Sequence, residues 1–228
     1  MKISGLQKLT LLDYPGKMAC TVFTYGCNFC CPFCHNALLV TEENSENISP
    51  DEFFAFLKKR QGILDGVCIS GGEPTLQKDL CEFISEIKAL GYSVKLDTNG
   101  SNPALLKKLI DESLIDYVAM DIKNSPTKYS LTCGCEVDMA AVKESVSIIK
   151  QSGIDHEFRT TTVREYHAAE DFAEIADWLK GNSRYYLQHF EDSGNLIGEN
   201  LTALSKEEMT EFAVIIKDKL PLTELRGV

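Results

Sequence analysis

No run of apolar residues in this chain approaches the roughly 20 needed to cross a bilayer. The opening segment Met1-Lys2-Ile3-Ser4-Gly5 lacks the apolar core of a secretory signal. Neither a membrane protein nor an exported one is expected, and the chain reads as cytoplasmic. Positive charge is also scarce, with 23 Lys and Arg against 34 Asp and Glu, a net charge of −11. A nucleic-acid binder normally carries a basic face. The balance argues against that class and leaves a small molecule or a protein as partner. There is no internal repeat, low-complexity tract or linker that would divide the chain. Residues 1–228 are therefore expected to form one domain, long enough for a substantial core.

Cysteine, by contrast, is plentiful: the chain has nine. In a reducing cytoplasm they read as free thiols or metal ligands rather than disulfides. Four of them fall within eight positions, in Tyr25-Gly26-Cys27-Asn28-Phe29-Cys30-Cys31-Pro32-Phe33-Cys34-His35-Asn36. Three thiolates spaced as Cys27-x3-Cys31-x2-Cys34 can hold three irons of a cubane cluster and leave the fourth iron without a protein ligand. An open iron is a place for chemistry. Other readings of the loop exist. Zinc could take Cys27, Cys31 and Cys34 with His35 or Cys30. Cys27-x2-Cys30 and Cys31-x2-Cys34 match a redox dithiol. A cluster on Cys27, Cys30 and Cys34 also satisfies the arithmetic. Elsewhere, Cys20, Cys68 and Cys81 lie in strand or helix patterns and read as buried small residues. Cys133-Gly134-Cys135 supplies too few thiols for a second cluster. The absence of cysteine between Cys34 and Gly71 excludes an inserted ferredoxin-type module there.

Six β-like runs alternate with helical patterns: Cys20-Tyr25, Val67-Ser70, Ser93-Asp97, Tyr117-Asp121, Glu157-Val163 and Tyr185-Phe190. Ser49-Pro50-Asp51-Glu52 and Ser205-Lys206-Glu207-Glu208 are capping boxes that start helices. Asn102-Pro103 opens another. Leu76, Leu80, Phe83, Ile84 and Ile87 recur at helical spacing, with Gly91 as a stop. Further helical patterns end near Gly153 and Gly181. The alternation implies βαβ units and a parallel sheet, either doubly wound or curved into a partial barrel. In both, sites gather at the carboxyl ends of the strands. Four polar or glycine-rich loops follow strands there: Gly26 to Asn36, Gly71-Gly72-Glu73-Pro74, Asp97-Thr98-Asn99-Gly100 and Asp121-Ile122-Lys123.

The cysteine loop, with Phe33 before its last cysteine, resembles the signature of radical S-adenosylmethionine enzymes. The resemblance implies a partial (β/α)6 TIM-like barrel of about six βα units. It also implies a [4Fe–4S] cluster on Cys27, Cys31 and Cys34, with Phe33 and His35 beside the cofactor. S-adenosylmethionine would chelate the open iron through its amine and carboxylate. One electron would then split it to methionine and a 5′-deoxyadenosyl radical, chemistry that belongs to the cofactors rather than the protein. Position 30 is often arginine in that family, so Cys30 reads as a bystander. Ser70-Gly71-Gly72-Glu73-Pro74 resembles the family's second motif, in which glycine lets backbone approach a ligand. The Glu73 carboxylate suits the methionyl ammonium. Taken alone, this motif is a plain strand-to-helix turn.

Asp97-Thr98-Asn99-Gly100 and Asp121-Ile122-Lys123 resemble strand ends of glycyl-radical activating enzymes. That resemblance implies a monovalent cation held near Asp97 and Asp121, and Asp121 and Lys123 reaching the cofactor; hard carboxylate oxygens suit such a cation. Arg159 is either directed inward at an anionic cofactor or engaged in a surface ion pair. His189 is placed by the resemblance near the adenine, in an uncertain register. Leu11-Leu12-Asp13-Tyr14-Pro15-Gly16-Lys17, Phe23-Thr24-Tyr25-Gly26-Cys27-Asn28 and Cys34-His35-Asn36 resemble the activating proteins of anaerobic ribonucleoside-triphosphate reductase. Pyruvate formate-lyase activases are near neighbours, with Asp-Gly-Pro-Gly where this chain has Asp13-Tyr14-Pro15-Gly16. The resemblance runs from about Gly5 to Phe190. It implies hydrogen abstraction from a backbone glycine of the reductase large subunit, with flavodoxin or ferredoxin as electron donor. The competing readings are an activase of pyruvate formate-lyase or another glycyl-radical enzyme, a radical enzyme acting on a small molecule, and a zinc-stabilised binding module without catalysis.

Overall fold

The computed structural model describes residues 1–41 and 48–228. Strand β1 (Ile3–Thr10) pairs antiparallel with β2 (Ala19–Thr24). From β2 the sheet continues in parallel through β3 (Gly66–Gly71), β4 (Ser93–Thr98), β5 (Tyr117–Asp121), β6 (Asp155–Thr162), β7 (Arg184–His189) and β8 (Thr223–Arg226). Spatial order equals chain order, so every step moves to the next strand in one direction. Among the described residues β8 does not return to β1, and the sheet is a partial, open TIM-like barrel.

β2 to β7 are the six strands legible in the sequence. β1 and β8 are additions. β1 is exposed from Gln7 through Leu9, so it has little hydrophobic alternation to read. β8 has only four residues.

The helices are α1 (Ala37–Thr41), α2 (Pro50–Lys59), α3 (Leu80–Ala89), α4 (Pro103–Asp111), α5 (Tyr129–Cys133), α6 (Met139–Ser152), α7 (Ala169–Leu179) and α8 (Lys206–Lys217). Both capping boxes form: Ser49 and Ser205 accept from the backbone of Glu52 and Glu208, whose carboxylates reach back. Asn102 accepts from Leu105 N at the start of α4. One helix start moves. Leu76 lies in a 3-10 turn, Pro74–Leu76, and is exposed, so α3 begins at Leu80. Among the described residues no helix is long and apolar enough to cross a membrane.

Strand alternation divides the sheet into two chemistries. Val22, Val67, Ile69, Val94, Leu96, Val118, Met120, Phe158, Tyr185 and Leu187 join the helical side chains Phe53, Leu57, Phe83, Ile84 and Ile149 in one apolar core. The intervening residues turn inward. At the floor of the barrel Tyr14, Ala19, Tyr117 and Ala119 make a small separate apolar cluster. Toward the carboxyl ends the inward positions become polar or charged, including Ser70, Asp97, Asp121 and Arg159, and these line the cavity described next.

Candidate cluster and cofactor site

A cavity of about 400 Å³ opens inside the barrel at the carboxyl ends of the strands. All four loops expected there contribute to its lining. The loop after β2 carries Cys27, Cys31 and Cys34 into it, whereas Cys30 is exposed and outside the lining. The loop is held mainly by backbone. Gly26 N donates to Leu39 O (2.9 Å), Cys34 N to Cys31 O (3.0 Å) and Cys30 N to Cys133 O (3.0 Å). Phe29 N and Asn99 Nδ2 approach the Cys27 sulfur at 3.4 and 3.9 Å. Phe33 is buried against Tyr166 and His167, and His35 packs on Phe190. Both also reach the cavity.

Burial pushes the Cys27 thiol up to about 12 and raises Cys34 as well. The neighbouring Cys133 thiol brings Cys31 down to about 7. The Lys123 ammonium favours the thiolate form of all three. Among the described residues no three His, Cys, Asp or Glu side chains are placed to share a single ion. The thiols border a common cavity instead, which suits a cluster that gives each thiolate its own iron. The donor set thus fits a [4Fe–4S] cluster.

Gly71 and Gly72 close the wall between β2 and β3. A Cβ on Gly71 would stand 2.3 Å from Thr24 N, and one on Gly72 2.0 Å from Gly26 O. Gly71 also has φ 115°. The crossing of the two loops therefore requires these glycines even without a ligand. Behind them Glu73 is fully buried and does not line the cavity. Its Oε1 accepts from Thr75 N (3.0 Å), Thr75 Oγ1 (2.5 Å) and Thr98 Oγ1 (2.8 Å), and its Oε2 from Asn99 N (2.7 Å). Burial raises its pKa against the pull of those donors. In this structure Glu73 ties the β3 loop to the β4 loop.

The far wall is a chain of alternating charges. Lys95 pairs with Asp97. Asp97 Oδ2 meets Arg159 Nη1 at 3.1 Å, Arg159 Nε meets Asp121 Oδ1 at 2.7 Å, and Asp121 Oδ2 meets Lys123 Nζ at 2.9 Å. Burial alone would raise both aspartates. Arg159, then Lys95 for Asp97 and Lys123 for Asp121, outweigh it and hold both below the ordinary carboxylate value. Arg159 thus points inward and bridges the two strand-end aspartates. Of the wall's three cations, Arg159 and Lys123 line the cavity and could meet an anionic ligand.

His189, like Glu73, is an expected residue that the structure does not bring to the lining. Gln188 lines the cavity in its place, and the His189 Nδ1 is buried with no hydrogen-bond partner. Sequence reasoning passed over Asp13, Asn36, Asn99, Thr161 and Gln188, all of which reach the cavity. Alternation from Arg159 would have found Thr161. Asp13, whose Oδ2 accepts from Thr21 Oγ1 at 2.5 Å, left no such signal.

A partial barrel whose first parallel strand ends in three cavity-facing thiols belongs to the radical SAM superfamily, and the model of that family matches residues 21–179. Enzymes of this kind use a [4Fe–4S] cluster and S-adenosylmethionine. A protein of Methanocaldococcus jannaschii, provisionally named a glycyl-radical enzyme activating enzyme, is 35% identical across 99% of this chain and 96% of its own. The pyruvate formate-lyase-activating enzyme of Listeria monocytogenes is 31% identical over 56% of each chain. In three dimensions the chain matches a radical SAM methyltransferase from Sphaerobacter thermophilus with TM-score 0.74, over 96% of this chain and 68% of that one. At 16% identity, that likeness speaks to the fold alone.

Proposed function

We propose that this chain activates a glycyl-radical enzyme, and that its partner is the large subunit of an anaerobic ribonucleoside-triphosphate reductase. The observation that carries the activase reading is identity along the whole chain to a protein named for that role. The motif from Leu11 to Lys17 supports the reductase as partner. The bound cluster and S-adenosylmethionine together supply a hydrogen-abstracting radical. The chain's own residues bind, orient and shield. Cys27, Cys31 and Cys34 hold the cluster, and Phe33 and His35 flank it. The Gly71–Gly72 backbone forms the wall beside the cofactor. Lys123 and Arg159 supply the cations that would meet the methionyl carboxylate. Asp97 and Asp121 hold those two cations in place. A monovalent cation at the aspartates would compete there with Arg159 and Lys95. Glu73 acts from behind the wall, by fixing the turn at Thr98 and Asn99. His189 acts at most from behind Gln188.

Residues 1–228 are read as one radical SAM domain, which the single eight-stranded sheet supports. Nine free thiols suit a reducing cytoplasm, and the acidic net charge suits a protein partner rather than nucleic acid or membrane. A flavodoxin or ferredoxin is the proposed electron donor.

The test is anaerobic reconstitution with iron and sulfide, then mixing with the reductase subunit, S-adenosylmethionine and reductant. A glycyl radical seen by electron paramagnetic resonance is the expected result. A radical formed on pyruvate formate-lyase instead, which the Listeria likeness favours, would reassign the partner. Release of 5′-deoxyadenosine with no protein radical on either would point to a small-molecule substrate. A colourless protein carrying one zinc would sink the cluster itself.

A further inference from the structure

The resemblance implies a monovalent cation near Asp97 and Asp121, and such an ion needs their oxygens. The fold gives each of the four a protein partner. Asp97 Oδ1 meets the Lys95 ammonium, and the Cys68 thiol approaches it at 3.6 Å. Asp97 Oδ2 accepts from Arg159 Nη1 at 3.1 Å and from Ser70 Oγ at 3.2 Å. Asp121 Oδ1 accepts from Arg159 Nε at 2.7 Å, and its Oδ2 from Lys123 Nζ at 2.9 Å. A free ion would have to displace an ammonium or a guanidinium to enter. The two carboxylates therefore do not fit one.

Lys95 is the member of this ladder that the sequence did not announce. Strand alternation turns it inward with Asp97, one pleat nearer the barrel floor. There it is in register with Cys68 of β3 and Tyr117 of β5. It is 1% exposed and, unlike Arg159 and Lys123, does not line the cavity. An ammonium so fully withdrawn from water is costly unless it is paired. Its Nζ pairs with Asp97 and stands 3.8 Å from the Cys68 sulfur. Shielded from the cavity, Lys95 acts through Asp97, and through Asp97 on Arg159. A lysine ammonium is a compact single charge with donors radiating from one point. It brings to Asp97 the charge that a monovalent ion would bring.

We propose that Lys95 is a built-in substitute for the monovalent cation, a positioning residue whose ammonium holds the Asp97–Arg159 pair at the cavity wall, so that S-adenosylmethionine binds without potassium or sodium. This rests on the cofactor reading above and is independent of which partner is activated.

The experiment measures S-adenosylmethionine binding to the reconstituted protein by equilibrium dialysis. Potassium, sodium and choline chloride are compared at one ionic strength, choline being too large to sit between carboxylate oxygens. Wild type should bind equally in all three, within about twofold. Lys95→Ala leaves Asp97 Oδ1 bare beside space for an ion. Its affinity should fall about tenfold in choline and recover in potassium or sodium. Sodium magnetic resonance reads the ion directly, and the line should broaden more with Lys95→Ala than with wild type. Lys95→Met, which fills the space with an apolar chain, should bind weakly in every salt. Should Lys95→Ala unfold in choline, its melting temperature is compared in choline and potassium, and rescue by potassium is expected. Wild-type binding that needs potassium or sodium overturns the proposal. A Lys95→Ala protein whose affinity and melt ignore the salt overturns it too. Cluster-loaded wild type that binds no S-adenosylmethionine in any salt overturns the cofactor reading, and the proposal with it.

Discussion

Adjacent cysteines in one loop meet different fates here. Cys31 is buried and faces the cavity, while Cys30 is exposed and contributes its backbone N–H to Cys133. Cys31→Ser should therefore lose the four-iron chromophore, and Cys30→Ser should keep about the wild-type iron content, as read by iron assay and visible absorbance. Cluster loss in Cys30→Ser would overturn the ligand set. Spacing alone could not separate the two residues, because it does not say which side chain the local turn directs inward. Glu73 shows the same limit. Its chemistry suits an ammonium, but its surroundings make it a four-donor anchor. Glu73→Gln replaces one carboxylate oxygen with an amide that donates toward donors. The expected cost is about 2–3 kcal/mol of stability, read as a lower urea midpoint at unchanged slope. An unchanged midpoint would show that the anchoring role is wrong.

At the level of elements, β2 to β7 were legible because each is a short run of β-branched and aromatic residues between turn signals. The capped helices were legible because Ser49, Asn102 and Ser205 mark their starts. β1 and β8 were not, because they are edge strands whose partner, rather than their pattern, makes them strands. The Gly71–Gly72 crossing belongs to this scale too: the motif was visible, but its physical cause was not. A sequence shows glycines before a helix; only the fold shows that β2's exit loop lies across them. Gly72→Ala forces a methyl into the Gly26 carbonyl, and Gly26 is next to the first ligand. That variant should lose about 1–3 kcal/mol and load less iron under conditions that fill the wild type. A full cluster and an unshifted melt in Gly72→Ala would show that the loops can part without cost.

The whole molecule separates stability from chemistry by the two faces of one sheet. Helices seal the outer face with apolar side chains, while the inner face carries the ladder from Lys95 to Lys123 across β4, β5 and β6. This ladder ties strand positions far apart in sequence, so disrupting it should be felt globally. Asp97 is held below its ordinary pKa in the folded state. Its contribution to stability is therefore present above the unfolded value of about 3.9 and is lost as pH falls through the lower, folded value. Asp97→Asn leaves the buried Lys95 without its carboxylate and Arg159 with Asp121 alone, and should cost about 3–5 kcal/mol at pH 7. The gap between wild type and variant should hold down to about pH 4 and narrow below it. Urea melts at pH 7, 5 and 3 check this, and a gap that closes between pH 7 and 5 would assign the effect to another group.

Among the described residues, stopping short of closure also leaves the sheet with two margins, each a potential template for strands of other molecules. The chain meets this hazard differently on the two sides. Along β1, register shifts between Ile3 and Gly5 and between Gln7 and Thr10 spoil a straight ladder, and Ile48 bridges to Ile3. Along β8 the margin is only four residues long and includes Glu224 and Arg226. A kinked, partly covered margin and a short, charged one are poor seeds for edge-to-edge association. They let the barrel remain open without inviting its own copies to complete it.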